Sequence, residues 1–182
     1  FEAIYFCLFE MVILGVREPI ANVFKLLEIS IFGLKAPVIL FINLVVHVFN
    51  SGLLLKLCHL LPSAGMWPPL PRSAHKADIS TFKWGCFGTT VFWATHPLRV
   101  QVLAWASCQP LLLAFALTIL SYYMHIHRFV AAWGSATRTT APGGGSYPIS
   151  PPMPTYAPLV FALGAACKAN TIPFCGVFFL SS

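Results

Sequence analysis

An all-α integral membrane protein is the fold class this sequence predicts, with three to five transmembrane helices, a short amphipathic interfacial helix and two Pro-rich connections. Three observations predict it. Of the 182 residues, 58% are hydrophobic, only 9% are charged, and long runs carry no charge at all. An average soluble domain carries about 25% charged residues, so this chain lacks the side chains that would cover a soluble surface. Spans of about 20 apolar residues account for the deficit.

Taken in order, Phe1 to Val16 is apolar apart from Glu2 and Glu10 and reads as a membrane-embedded helix slightly short of a full span. Glu10 would then lie at depth, where a carboxylate must be paired, protonated or turned toward protein. It is a candidate intramembrane ionisable group. Between Glu18 and Lys35, the residues Glu18, Asn22, Lys25 and Glu28 recur at steps of four and three. That spacing draws one stripe along an α-helix. An amphipathic helix over 18–35 is expected, lying in the interface or packing its stripe on another subunit. Pro19 suits its first turn.

Ala36 to Leu55 is uncharged for twenty residues, enough at 1.5 Å per residue to cross a hydrocarbon core of about 30 Å. Asn43, His47 and Asn50 recur along it at steps of four and three and form a polar helix face that should point at protein and away from lipid. Lys56 and the Cys58-His59 pair mark the exit, so residues 1–61 make an N-terminal membrane unit. A polar Pro-rich loop over 62–80 follows, with four prolines between Pro62 and Pro71 that cannot continue a helix.

Residues 81–130 read as a membrane hairpin. Its first arm, Thr81 to His96, is marginal in length, and its Gly85 and Gly88 would admit a neighbouring helix. Its main span, 100–124, has twenty-five uncharged residues, with Pro110 expected to kink it. Arg99 before it and His125, His127 and Arg128 after it are the candidate lipid-headgroup anchors. A Pro/Gly-rich connection over 131–158 needs partners to become ordered. The C-terminal segment, 159–182, is membrane-associated; its Ala162, Gly164, Ala165 and Ala166 suit close helix packing, and Lys168 is the second candidate intramembrane ionisable group.

Charge and motif content narrow the function classes. The formal charge of +6 reflects scarce acids, and residues 79–182 hold five Lys or Arg with no Asp or Glu. These cations are scattered singly, so nucleic acid is not an expected partner. Membrane lipids and other membrane subunits are. The cysteines at 7, 58, 86, 108, 167 and 175 form no CxxC pair and read as small apolar residues. His96 and His125 bracket the main span at roughly 40 Å if it is straight, too far to share a haem iron. His125 and His127 lie on different faces of a helix, and His47 has no evident partner at its depth, so no cofactor is specified.

Enzymatic signatures such as GxSxG, HExxH, GxGxxG and the Walker loop do not occur. With a single Asp, a catalytic carboxylate pair has little raw material. The expected role is therefore a non-catalytic accessory or structural transmembrane subunit of a larger membrane complex of respiratory, photosynthetic or ATP-synthase type. The start at Phe1 fits a processed chain and hence an organelle inner membrane, or a piece of something longer. A small channel or transporter lined by Glu10, the Asn43/His47/Asn50 face and Lys168 is the alternative. An unselected reading frame, which the Phe, Pro, Ser and Cys content also resembles, is the third.

Overall fold

A computed structural model describes residues 2–6, 18–64, 76–139 and 156–168. The elements are α1 (Glu2–Tyr5), α2 (Pro19–Phe32), α3 (Ala36–Leu60), α4 (Lys76–Thr95), α5 (Pro97–Ala104), α6 (Gln109–Thr139) and α7 (Tyr156–Cys167), with single 3₁₀ turns after α3 and before α6. Among the described residues there is no strand. Among the described residues, two stretches are long and apolar enough to cross a membrane: Ala36–Leu60, with mean hydropathy 2.2, and Ala106–Ala131, with 1.3. Glu10 lies outside the described residues.

Proline sets where several of these helices begin. Pro19, Pro37 and Pro97 sit in the first turns of α2, α3 and α5, where a missing N–H removes no helical bond. Pro110 does the same for α6, as its second residue. The predicted continuous span over 100–124 with a mid-helix kink is thereby corrected. The chain leaves helical geometry at Trp105, makes a 3₁₀ turn over Ala106–Cys108 and restarts at Gln109. A proline ring excludes the carbonyl four residues back, and a fresh helix start accommodates that more completely than a bend.

Two connections are also shorter than the sequence suggests. Helix α4 already begins at Lys76, inside the expected 62–80 loop, and α6 runs to Thr139, into the expected 131–158 connection. Helix α2 ends at Gly33, whose φ of 69° and ψ of −178° lie in a region open essentially to glycine alone. Its N–H donates to Ile29 O at 2.8 Å, closing the last turn as the chain swings into α3.

Helix α6 is the hub, packed on α7 and α3 with α2 and α5 at its flank, while α4 leans on α3. The α6–α7 contact is intimate because Gly164 lets the backbones approach: a Cβ there would meet Leu117 Cβ at 3.2 Å and Thr118 Oγ1 at 3.3 Å. Of the four small residues singled out on α7, Gly164 makes the contact and Ala162 is exposed. Gly85 and Gly88 do not behave as expected, since both are exposed with nothing near the Cβ positions. Cys86 and Thr90 are the buried residues of that stretch of α4.

Candidate functional site

The interior of this fold is polar to an unusual degree. Glu18, Asn22, Glu28, Asn43, His47, Asn50, Gln109, Ser121 and His125 are buried, whereas Leu34 is 81% and Phe92 71% exposed. Helix α3 makes the division plainest. Phe41, Leu44, Val45 and Val48 face outward, and Asn43 and Asn50, both at 0% exposure, and His47, at 5%, face inward. Asn43, His47 and Asn50 thus share the face of α3 that meets the rest of the chain.

What that face does follows from the breaks in the neighbouring helices. A helix end leaves its last carbonyls without N–H partners. Helix α4 stops at Thr95 because Pro97 cannot donate, and Leu98 N–H, which a continuing helix would give to Ala94 O, goes to His96 Nδ1 at 3.3 Å. His47 Nε2 lies 3.0 Å from that orphaned Ala94 O. A carbonyl only accepts, so Nε2 carries the proton. Asn43 Nδ2 likewise donates to Leu103 O in the last turn of α5, at 3.4 Å, and Asn50 Nδ2 to Leu112 O at 3.0 Å. Helix α3 thus supplies donors to carbonyls in the last turns of α4 and α5 and a further donor to a carbonyl in the first turn of α6.

The polar stripe of α2 also turns inward, which corrects the expectation that it faces headgroups or a second chain. Gln109 Nε2 donates to Glu28 Oε2 at 2.9 Å, and Lys168 Nζ reaches Glu18 Oε1 at 2.5 Å. Leu27, Ile29, Ile31 and Phe32 are the outward residues of this helix. Lys168, expected as a lone ionisable group, is therefore half of an ion pair with α2. Asn22, at 3% exposure, has no hydrogen-bond partner for either side-chain polar atom.

The four anchor candidates separate. His127 and Arg128 are exposed, as an anchoring role requires. His125 is buried, because its position on α6 faces the helix bundle, so it is corrected from an anchor to an interior residue. His96 and His125 now stand on either side of the Trp105 break, not at the two ends of one helix.

Arg99 turns inward. Its guanidinium carbon sits 4.7 Å from the centroid of the Trp93 ring and 5.6 Å from that of Phe115. Trp93 is itself stacked between His47, at 5.3 Å, and Phe115, at 5.1 Å. A cation over aromatic faces is held by the ring quadrupoles, and this stack joins α3, α4 and α6 to α5. It borders a cavity of about 430 Å³ whose further lining includes Leu57, Val102, Leu111, Ile119 and Lys168. Neither the stack nor the cavity was read from the sequence, where the contributing residues lie on five separate segments.

At the edge of the same region, burial and the adjacent Glu18 carboxylate push the Cys167 thiol up to about 11. Among the described residues no cluster of His, Cys, Asp or Glu could hold a metal ion.

Among the described residues, fold and site define a helical arrangement that turns polar side chains inside and presents large apolar ones outside. No protein-family model, curated protein or solved structure matches it.

Proposed function

We propose that this chain is a non-catalytic transmembrane subunit that packs within a larger membrane assembly. One observation carries the reading: α2, α3 and α4 carry many large Leu, Ile, Val, Phe and Trp side chains on their outward surface, while Asn22, Glu28, Asn43, His47 and Asn50 are turned inward. In water that arrangement exposes apolar area that soluble proteins keep small. In lipid it is the stable one, because the hydrocarbon solvates the apolar rim and interhelical hydrogen bonds satisfy the polar core. Trp84, Phe87 and Val91, at steps of three and four on α4, extend this rim with aromatic rings suited to a neighbouring subunit.

A channel needs polar side chains along a water path, and Asn43, His47 and Asn50 are instead engaged with helix carbonyls. The packing reading therefore has the stronger support. Its test is extraction of the native membrane in mild detergent, then native gel separation and mass spectrometry of the band that holds this chain. Co-migration with other subunits at constant stoichiometry is expected. Migration as a lone chain overturns the proposal and brings ion flux in liposomes to the front.

A further inference from the structure

We infer that the cavity beside Arg99 is a binding site for an anionic amphiphile, a carboxylate or phosphate head on a single hydrocarbon chain. The inference rests on the geometry of the cavity and is independent of whether the chain joins a larger assembly. Three observations converge on that chemistry. The volume of about 430 Å³ lies in the range of roughly 300–1,000 Å³ usual for small-ligand sites. Its walls are mainly apolar, aliphatic at Leu57, Val102, Leu111 and Ile119 and aromatic at Trp93 and Phe115, which suits a hydrocarbon chain.

Arg99 borders it with a guanidinium held on the Trp93 and Phe115 faces, and among the described residues no carboxylate is paired with it. The other cation of the wall, Lys168, is already neutralised by Glu18. One positive charge without a carboxylate partner among the described residues therefore marks the side of the cavity where an anion belongs, and a guanidinium presents parallel N–H donors to carboxylate or phosphate oxygens. His47 also lines the cavity and is 5% exposed.

The test is native mass spectrometry of the full chain in a non-ionic detergent, titrated separately with oleate, oleoyl lysophosphatidate and oleyl alcohol. A one-to-one adduct is expected with at least one of the two anions at a concentration ten-fold or more below that needed for the alcohol. The tighter of the two identifies carboxylate or phosphate as the natural head. Arg99→Gln is expected to weaken the anion adduct ten-fold or more, and Arg99→Lys, which keeps the charge but loses the parallel donors, by a smaller factor. Val102→Trp, which fills the cavity without touching the charge, is expected to remove the adduct while the helical circular dichroism is retained. Equal binding of the alcohol and both anions overturns the assignment, as does an adduct that survives Val102→Trp. Should Arg99→Gln fail to fold, the head-group comparison and Val102→Trp decide the matter by themselves.

Discussion

Lys168 Nζ meets Glu18 Oε1 at 2.5 Å across 150 positions of sequence, and this contact ties the end of α7 to the start of α2. The two side chains are only 25% and 11% exposed, so their attraction is less screened than that of a surface pair. Removing one charge strands the other in a poorly hydrated place. Lys168→Met and Glu18→Gln are each expected to lower stability by about 2 kcal/mol, read as thermal unfolding in detergent by circular dichroism. The reversed pair, Glu18→Lys with Lys168→Glu, is expected to regain part of that loss. A double reversal no better than the sum of its single changes would remove the pairwise attraction from the account.

Gly164 lies where α6 and α7 pack closely. Because an added Cβ would lie 3.2 Å from Leu117 Cβ and 3.3 Å from Thr118 Oγ1, those side chains must give by a few tenths of an ångström to admit it. Gly164→Ala is expected to cost about 1 kcal/mol and Gly164→Val about 3. The same assay orders them, and a Val variant as stable as the original shows that the two helices slide freely.

Asn50 provides a cleaner look at one interhelical bond. Its amide donates to Leu112 O at 3.0 Å with the side chain fully buried, and such bonds in apolar surroundings contribute about 1 kcal/mol. Asn50→Ala should lose that contribution together with some packing. Asn50→Asp should lose more, since a carboxylate can only accept and would face a carbonyl. Equal stability of the Ala and Asp variants would mean the bond is not made.

Cys167 should be chemically silent near neutrality. Alkylation requires the thiolate, and a thiol pushed up to about 11 holds almost none of it at pH 7.5. Labelling with maleimide, followed by peptide mass mapping, is expected to be slow in the folded protein and to rise only as pH approaches 11. Unfolding in denaturant should restore ordinary reactivity. Rapid labelling of Cys167 in the folded chain at pH 7.5 would show that its surroundings are wetter than the fold implies.

Periodicity made α3 legible. Three polar residues at steps of four and three in an uncharged run share one face whatever the tertiary structure, and a face of that kind in an apolar helix seeks protein. The same arithmetic located the stripe of α2 but not its destination, because spacing says which side chains travel together and nothing about what they meet. The partners of Glu28 and Glu18 are Gln109 and Lys168, far along the chain. Pro110 was ambiguous for a related reason: one proline serves a kink or a new helix, and the choice is made where Gln109 docks on Glu28. Arg99 read as an anchor because a charge beside an apolar run usually is one. Its stacking on Trp93 and Phe115 depends on a fold that no local pattern encodes.

The hydrogen bonds that hold α3 in place have an evolutionary consequence. Asn43, His47 and Asn50 all address main-chain carbonyls, those of Leu103, Ala94 and Leu112, and a carbonyl is the same whichever residue bears it. The letters at 94, 103 and 112 are thus free to drift without loosening the grip. What must be inherited faithfully on that side is punctuation: the breaks after α4 and α5, beside which Pro97 and Pro110 stand, and which leave the last carbonyls of those two helices bare. In descendants of this chain, the three donors and these two prolines should persist together while the acceptor positions vary.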